Sequence, residues 1–383
     1  MGLKRRHLLA LLAALAVPAA LLPSSASAAT WSTVATGLDS PRGVAFVGGR
    51  LLVAEAGHGG TACFDGGPSA GQVCIGASGR VSWINNGAPT PLVTGLFSET
   101  ARGGFDSEGP SGLSVNEDRI LAQIATPPQE VPSPPTIPAA VSAFGKAQAG
   151  LLISVHRDGS WSTVASVGKF DFDFTTQFPE PPGPGTQEHD ANPYGVLATD
   201  EGAYVADAGS NTLDRIGANG KITILIYDPT RFDSPPGAFP TDAVPTCVVR
   251  AEGGLLVGEL SGRLLSVHGK SFSVIDAPLL SHVTGCTSDG RGNVYFVNMF
   301  GSGPVFTPPP ASNFFIGNVV KYNTRTRQFS TLVDGLMLPN QDTIGPDGNL
   351  YVSVRSICPT FPGCQGATGG VIKINLPHGE GND

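Results

Sequence analysis

Charged residues are scarce in this sequence, and its basic residues form no cluster beyond the first six positions. Lysine, arginine, aspartate and glutamate together make up 14% of the 383 residues, and the formal net charge is −8. Proteins that bind nucleic acids or anionic membrane surfaces carry runs of basic residues, because these neutralise phosphates. The composition therefore argues against nucleic acid and anionic membranes as partners.

Long apolar runs are equally scarce, and the one that is present lies at the N-terminus. A basic start precedes the apolar stretch 8–22, and residues 26–28 are the small residues that a signal peptidase recognises. The stretch is too short for a comfortable membrane span. We predict that residues 1–28 are a secretory signal peptide and that residues 29–383 form one exported domain without a membrane span. An uncleaved helical tether is the alternative.

Motifs of the common enzyme classes are also missing. The chain has no phosphate-binding loop, no dinucleotide-binding glycine pattern and no helix with paired zinc-binding histidines. One match to a serine-hydrolase motif, GPSAG at 67–71, lies between two cysteines instead of at a strand–turn–helix junction, so we do not interpret it as a nucleophile. These absences leave the reaction undefined and favour binding over catalysis.

Glycine and proline, in contrast, are abundant, with 51 and 33 residues. Short runs rich in Val, Ile, Leu and Tyr alternate with Gly, Asp and Asn turns. No stretch after residue 28 shows a helical period of useful length. The pattern indicates an all-β protein.

The strand-like runs recur as six similar units of four strands. Each unit has a strand entered through Pro or Thr, a tight Gly/Asp turn, a strand that ends in an acid or amide, and two further strands; residues 193–226 are the clearest case. The units begin near residues 41, 110, 193, 245, 283 and 339. Their unequal spacing favours a propeller with insertions over a solenoid. We predict an all-β, six-bladed β-propeller of four-stranded antiparallel blades.

The two ends of the chain complement each other. The N-terminal strand WSTVATGL (31–38) matches the fourth strand of other units, such as WSTVASVG (161–168), whereas the sixth unit has only three strands of its own. We therefore predict that the N-terminal strand completes the last blade and closes the ring, so that neither the first nor the last blade is left unlocked. A β-sandwich is the alternative.

The insertions are expected on one face of the propeller. In such a blade, the connections between strands two and three and between blades leave from one face, and the other two connections leave from the opposite face. We call the first the decorated face and the second the bare face. Nearly all the long segments belong to the decorated face: 57–78, 97–108, 125–149, 170–191, 227–243, 299–316 and 356–368. Long loops on a rigid scaffold commonly carry the binding site, so we expect it on this face.

Six cysteines follow the signal segment, and an even number in an exported chain favours disulfides. The first two are close in sequence, as are the last two, and elimination leaves the middle two for each other; this is one of 15 connectivities. They are Cys63, Cys74, Cys247, Cys286, Cys358 and Cys364. A zinc site is the alternative, although no pair has the two-residue spacing of a zinc knuckle.

The second strands end at equivalent positions that should face the decorated side. These positions hold Glu55, Gln123, Asp207, Glu259, Asn298 and Val354. Carboxylates and amides are the ligands that Ca²⁺ prefers, so a divalent cation is a candidate cofactor. Its candidate ligands are Glu55, Asp207, Glu259 and Asn298. The alternative is that each side chain caps the following turn by accepting backbone N–H bonds.

The segment QEHDANPYG (187–195) concentrates polar side chains at the start of the third unit. The candidate ligand-binding residues are Glu188, His189, Asp190 and Asn192. They suit a metal ion or a small molecule, whereas a plain turn before the proline is the alternative. Upstream, KFDFDFTTQF (169–178) alternates aromatic with acidic residues, as a ligand-contacting lip or a short edge strand would.

The repeats resemble those of six-bladed propellers related to NHL repeats and to the TolB-like class, and they are most similar to the ScyD/ScyE family, named for proteins of cyanobacterial scytonemin clusters. The likeness is carried by SEGPSGLSV (107–115), NPYGVLATDEGAYVADAGSNTLDRI (192–216) and VPTCVVRAEGGLLVGEL (244–260), and it extends over nearly the whole mature chain. The resemblance implies the propeller fold but no particular activity, since that family has no established reaction.

A more distant likeness is to gluconolactonase-type propellers, which implies an axial divalent metal near the residue that follows each blade-entry proline. Here those positions hold Arg42, Ser111, Tyr194, Thr246, Thr284 and Asn340. Asn340 alone is a plausible ligand. We therefore expect a monomeric exported protein that binds a small molecule or a protein partner on its decorated face. The alternatives are a metal-dependent hydrolase or lactonase and a structural protein of the cell envelope.

Overall fold

Six antiparallel sheets form a six-bladed β-propeller, as the sequence predicts. The computed structural model describes residues 29–101, 104, 106–181, 186–230, 242–251, 253–301, 315–357 and 367–377. The innermost strands of the sheets contact one another in cyclic order, and the sixth contacts the first. The predicted signal peptide, residues 1–28, lies outside the described residues.

The blades are listed here from the innermost strand outward. Blade 1 comprises β2 (Pro41–Val47), β3 (Arg50–Glu55), β5 (Gln72–Asn85) and β6 (Ala88–Ala101), extended by β4 (Ala62–Asp65) and β7 (Asp106–Glu108). Blade 2 comprises β8 (Pro110–Asn116), β9 (Arg119–Ile124), β10 (Leu151–Val155) and β11 (Trp161–Ser166). Blade 3 comprises β12 (Pro193–Thr199), β13 (Gly202–Asp207), β14 (Thr212–Gly217) and β15 (Ile222–Tyr227).

The remaining three blades repeat this arrangement. Blade 4 comprises β16 (Pro245–Ala251), β17 (Gly254–Glu259), β18 (Leu264–His268) and β19 (Ser271–Ile275). Blade 5 comprises β20 (Val283–Ser288), β21 (Asn293–Asn298), β22 (Ile316–Asn323) and β23 (Gln328–Met337). Blade 6 comprises β24 (Asp342–Ile344), β25 (Leu350–Val354), β26 (Gly369–Ile374) and β1 (Trp31–Leu38).

The N-terminal strand closes the ring. Strand β1 pairs antiparallel with β26, from Trp31 opposite Ile374 to Leu38 opposite Gly369. It is therefore the outermost strand of blade 6, and the predicted closure is confirmed. A side chain at position 369 would collide with the start of blade 1, because a Cβ there would lie 2.2 Å from the Cδ atom of Pro41.

The segments that precede each blade and those that follow its second strand lie at the same end of the molecule. In five blades the residue after the second strand donates its backbone N–H to a carbonyl just before the first strand. These bonds are Ala56 to Ser40, Ala125 to Gly109, Ala208 to Asn192, Leu260 to Val244 and Met299 to His282, with N···O distances of 2.8–3.0 Å. They define the decorated face.

The core lies between blades, because each sheet packs both of its faces against its neighbours. Between blades 1 and 2, for example, Leu52 and Ala54 share a buried cluster with Ile120 and Ile153. Burial on both faces explains why the strands read as nearly continuous apolar runs. Near the axis, the innermost strands approach so closely that a Cβ at Gly195 would lie 2.4 Å from the carbonyl oxygen of Thr246.

Two of the predicted disulfides are confirmed. Cys63 and Cys74 face each other across the β4–β5 hairpin on the decorated face. Cys247 and Cys286 join the innermost strands of blades 4 and 5. Cys358 and Cys364 lie outside the described residues.

Helices were not expected, yet the described part of the chain contains three: α1 (Gly67–Ala70), α2 (Ala139–Gln148) and α3 (Val167–Thr175). The helical period was hidden because the buried stripes are not apolar: α3 buries Asp171 and Thr175 beside Val167, and α2 buries Ser142 and Gly145. The segment that the sequence suggested as a lip or edge strand is thus largely helix α3. None of these helices is long and apolar enough to cross a membrane.

Candidate functional site

Polar side chains from three blades meet at the axis on the decorated face. The phenol of Tyr194 in blade 3 donates a hydrogen bond to Oδ1 of Asn340 in the opposite blade 6, at 2.8 Å. Arg42 of blade 1 donates through Nη1 to the same phenol oxygen, at 3.4 Å, and through Nη2 to the carbonyl of Ser107, at 2.6 Å. We call Arg42, Ser107, Glu108, Asn192, Tyr194 and Asn340 the axial mouth.

The smaller residues at the equivalent blade-entry positions hold neighbouring blades together. Ser111 donates to carbonyls of blades 2 and 3, and the Thr246 hydroxyl donates to the carbonyl of Val283 in blade 5, at 2.6 Å. Thr284 donates to the carbonyl of Asn340, at 2.8 Å. These side chains are engaged with the backbone, which leaves Arg42, Tyr194 and Asn340 as the groups that reach across the axis.

Arg42 places a buried positive charge in the axial mouth. Its side chain is 8% exposed, and among the residues that the structure describes no carboxylate forms an ion pair with it. A buried charge without a counter-ion is costly, because the carbonyl and phenol oxygens around it replace water only in part. A negatively charged group beside Arg42 would therefore reduce this cost.

Glu108, the residue after Ser107, lies on the side of the mouth formed by blades 2 and 3. The side-chain amide of Asn192 donates to Oε1 of Glu108, at 3.0 Å, and the hydroxyl of Thr126 donates to Oε2 of the same carboxylate. Burial raises the pKa of Asp190 to about 6, although its hydrogen bond with Glu130 acts in the opposite direction. The axial mouth thus offers acceptors for hydroxyl or amino groups beside one fixed cation.

The four predicted ligand-binding residues do not share one site. Asn192 belongs to the axial mouth, and its Oδ1 atom is buried without a hydrogen-bond partner. The carboxyl group of Asp190 is instead hydrogen-bonded to Glu130. His189 instead contacts the carbonyl of Phe178 through Nε2, at 2.9 Å, and Oε1 of Glu180 through Nδ1, at 3.0 Å. The Glu188 side chain is exposed. The structure therefore does not bring all four together around one ligand.

The four predicted metal ligands are each engaged by neighbouring protein groups. Glu55 pairs with Arg80 and accepts from the N–H of Asp39, and Asp207 accepts from the N–H groups of Asn192, Gly209 and Ser210. Glu259 contacts Ser261 and Arg263, and Asn298 accepts from the N–H of Ser281. These contacts match the turn-capping alternative. Strand register also places Ile124, not Gln123, at the equivalent position of blade 2.

No metal centre emerges from the described residues. Among them, no group of three or more His, Cys, Asp or Glu side chains has an arrangement that could hold a metal ion. The predicted divalent cation stays a prediction for metal analysis.

A buried acidic cluster beneath helix α3 was not anticipated. The carboxyl group of Asp171 lies within hydrogen-bonding reach of Asp207 and Asp214, and all three side chains are fully buried. Burial raises the pKa of Asp214 to about 7 and that of Asp171 well above its usual range. Both oxygens of Asp171 lack a conventional donor, so protons shared among the carboxyl groups must hold the cluster together. In the sequence, Asp171 lies between two phenylalanines in the stretch KFDFDF (169–174). These aromatic neighbours drew attention to the stretch, but they did not indicate that this acid would be buried.

Solved structures similar to this chain share its fold at low sequence identity. They include a protein of unknown function from Bacteroides thetaiotaomicron, at 10% identity and TM-score 0.53 over 90% of this chain and 76% of that one. Another is a putative oxidoreductase (glucose dehydrogenase) from Thermus thermophilus, at 14% identity and TM-score 0.50 over 91% and 100%.

A third is a putative gluconolactonase, at 12% identity and TM-score 0.49 over 92% and 96%. No protein-family model matches the chain, and no curated protein matches it. At these identities the structural likeness shows the propeller fold alone.

Proposed function

We propose that the protein is an exported ligand-binding propeller, with the axial mouth of the decorated face as its binding site. The observation that carries this proposal is the buried guanidinium of Arg42, held at the axis by Ser107 and Tyr194 without a carboxylate partner among the described residues. A protein without need of that charge would place a neutral side chain there, because a buried cation costs stability.

The neighbouring groups indicate the chemistry of the ligand. An anionic group would replace the missing counter-ion of Arg42, and a carboxylate suits a guanidinium because the two can form paired hydrogen bonds. Oδ1 of Asn192, which is buried without a hydrogen-bond partner, provides an acceptor beside it, so the same ligand would carry a hydroxyl or amino donor. A small hydroxycarboxylate satisfies both requirements.

Export is part of the proposal. Its supports are the N-terminal segment with the features of a signal peptide and the two disulfides, which persist mainly outside the reducing cytosol. We place the protein with the ScyD/ScyE type of propeller on the strength of its repeat motifs, as a monomer that binds a small molecule or a partner.

A titration with hydroxycarboxylates tests the proposed site. Glycolate, lactate, tartrate and gluconate would be added to the mature protein, with binding followed by calorimetry and by the shift in melting temperature. We expect at least one to bind, and Arg42→Gln to weaken it by about tenfold or more, since a charge-assisted hydrogen bond is lost. Tyr194→Phe, which removes only the bridging hydroxyl, is the milder variant.

The control is Arg157→Gln, which removes an exposed arginine paired with Asp118 on the bare face of blade 2. Binding by this variant should equal that of the wild type. Failure of every compound to bind, or equal binding by Arg42→Gln and Arg157→Gln, would contradict the proposal.

The lactonase alternative requires a metal at the axial mouth. Of the six blade-entry side chains only Asn340 has a suitable ligand type, and its Oδ1 already accepts the hydrogen bond from Tyr194. We therefore rank this activity second, to be tested by lactone hydrolysis with added divalent cations. The cell-envelope alternative would be tested by cross-linking on intact cells.

A further inference from the structure

A cavity lies on the propeller axis, beyond the axial mouth. It has a volume of about 300 Å³ and is lined by the innermost strands of all six blades. Its lining runs from the residues just after the blade-entry positions to Ile344, the last residue of β24, so it extends toward the bare face. We call it the axial cavity.

One residue of the cavity wall departs from the repeat. The equivalent position, the third after blade entry, lines the cavity in every blade. It holds Val44, Leu113, Val196, Val248, Cys286 and Asp342. Strand register confirms the equivalence: Val44 lies opposite Val53, Val196 opposite Val205 and Asp342 opposite Val352. Blade 6 thus has a carboxylic acid where four blades have an aliphatic residue and one has a disulfide cysteine.

The carboxyl group of Asp342 has no conventional partner. It is 8% exposed, and neither oxygen accepts a hydrogen bond. The adjacent Gln341 is 9% exposed, also lines the cavity, and its Nε2 atom has no acceptor. Burial raises the pKa of Asp342 well above its usual range. Two unpaired polar groups at one wall of a cavity cost stability unless a ligand completes their hydrogen bonds.

We propose that the axial cavity binds a small aliphatic amine, with its ammonium group on Asp342 and a hydroxyl group on the amide of Gln341. An ammonium group brings three donors and a positive charge to the single carboxyl group. The aliphatic lining residues suit the carbon chain. The volume is at the lower end of the range for small-molecule sites, which limits the ligand to a few heavy atoms.

A divalent metal fits these residues less well. Asp342 is the one ionisable side chain of the lining, and the described residues contain no group of three or more metal-binding side chains. Divalent cations in proteins usually take several oxygen ligands, including more than one carboxylate.

The proposed amine site is separate from Arg42, so it does not depend on the hydroxycarboxylate proposal.

Calorimetric titration with ethanolamine tests the inference, and ethylene glycol, its uncharged counterpart, is the matched ligand control. We expect ethanolamine to bind the mature protein and ethylene glycol not to bind. Asp342→Asn keeps the shape but removes the charge, and it should weaken binding by about tenfold or more. Asp334→Asn removes the charge of an exposed carboxylate on β23, outside the cavity lining, and should change affinity less than about twofold.

Two further measurements separate a loss of binding from a loss of folding and follow the protonation change on binding. Asp342→Val restores the aliphatic repeat residue, so it should raise the melting temperature while abolishing ethanolamine binding. Burial raises the pKa of Asp342 in the free protein and an ammonium group beside it would lower that pKa, so binding should release protons, which is measured by repeating the titration in buffers of different ionisation enthalpy. Equal binding of ethanolamine and ethylene glycol, equal binding by Asp342→Asn, or a response to Ca²⁺ without one to ethanolamine would overturn the inference.

Discussion

Glu55 in blade 1 and Asp207 in blade 3 occupy the same position of the repeat but lie in opposite electrostatic environments. Each is the last residue of its second strand, is fully buried, and accepts a backbone N–H from the segment before its own blade. Glu55 faces Arg80 on the next strand, with Nη2 and Oε2 2.6 Å apart. Asp207 instead faces two further carboxyl groups, Asp171 and Asp214.

The comparison separates the structural role of this position from its charge. The capping bonds require only an acceptor, so both blades keep an acid there. The negative charge of the acid is compensated differently in the two blades. In blade 1 a basic residue on the adjacent strand compensates it. In blade 3 protons shared with carboxyl groups of helix α3 and strand β14 compensate it. The two blades should therefore respond differently to mutation and to pH.

The largest effect is expected when the cation of blade 1 is removed. Arg80→Met leaves the buried Glu55 carboxylate without its counter-ion and should lower the free energy of unfolding by about 3 kcal/mol. Urea denaturation at pH 7 measures the change. Arg215→Met, which breaks the exposed pair with Glu201, is the control and should cost less than about 1 kcal/mol. Similar losses in both variants would refute the asymmetry between a buried and an exposed pair.

A second substitution should rescue this loss. Adding Glu55→Gln to Arg80→Met removes the unpaired charge and keeps an acceptor for the N–H of Asp39 and the hydroxyl of Ser82. We expect the double variant to recover about 1–2 kcal/mol relative to Arg80→Met. The same urea titration checks this. No recovery would mean that Arg80 stabilises the blade through packing instead of charge.

The acidic cluster of blade 3 should make the protein less stable as the pH rises. The pKa of Asp214 is raised from 3.8 to about 7 on folding, so the stabilisation from its bound proton is complete below pH 3.8 and is lost as the pH rises through about 7. Asp171→Asn supplies two N–H donors that do not titrate. We expect this variant to gain about 1–2 kcal/mol over the wild type at pH 8, and less at pH 5.

Helix α3 provides a matched control for that prediction. Asp173 lies two residues beyond Asp171 and is exposed, and its hydrogen bond with Lys169 lowers the pKa of its carboxyl group. Thermal unfolding of Asp173→Asn between pH 5 and pH 8 should follow the wild-type curve. If Asp171→Asn followed that curve as well, the shared protons would not account for the pH dependence.

The smallest effect is expected from removing divalent metal. Because Glu55, Asp207, Glu259 and Asn298 are engaged by neighbouring protein groups, a chelator should leave the melting temperature of the mature protein unchanged within error. Elemental analysis of the purified protein provides an independent check. A stoichiometric ion that is lost in Asp207→Asn but kept in Asp173→Asn would restore the predicted metal site.

The features that could be predicted from the sequence are those that local residue patterns indicate. Alternating apolar runs and turn residues revealed the blades, and the orphan strand 31–38 revealed the closure. Helix α3 escaped because its inward stripe contains Asp171 and Thr175, so no apolar period of 3.6 residues marks it. Of the predicted ligand-binding residues, Asn192 reaches the axial mouth through its bond to Glu108, whereas His189 contacts Phe178; that these residues bind a ligand stays a prediction.

The amino-acid sequence alone determined the propeller, its closing strand and the face that carries the long segments, because each follows from hydrogen bonding and burial repeated every few residues. Tertiary structure decided which side chains meet. Tyr194 and Asn340 are 146 residues apart and join only when the ring closes, and the paired or unpaired state of Glu55, Asp207 and Asp342 depends on strands brought alongside them. Electrostatic partners are set by distance in space, and no local period encodes that distance.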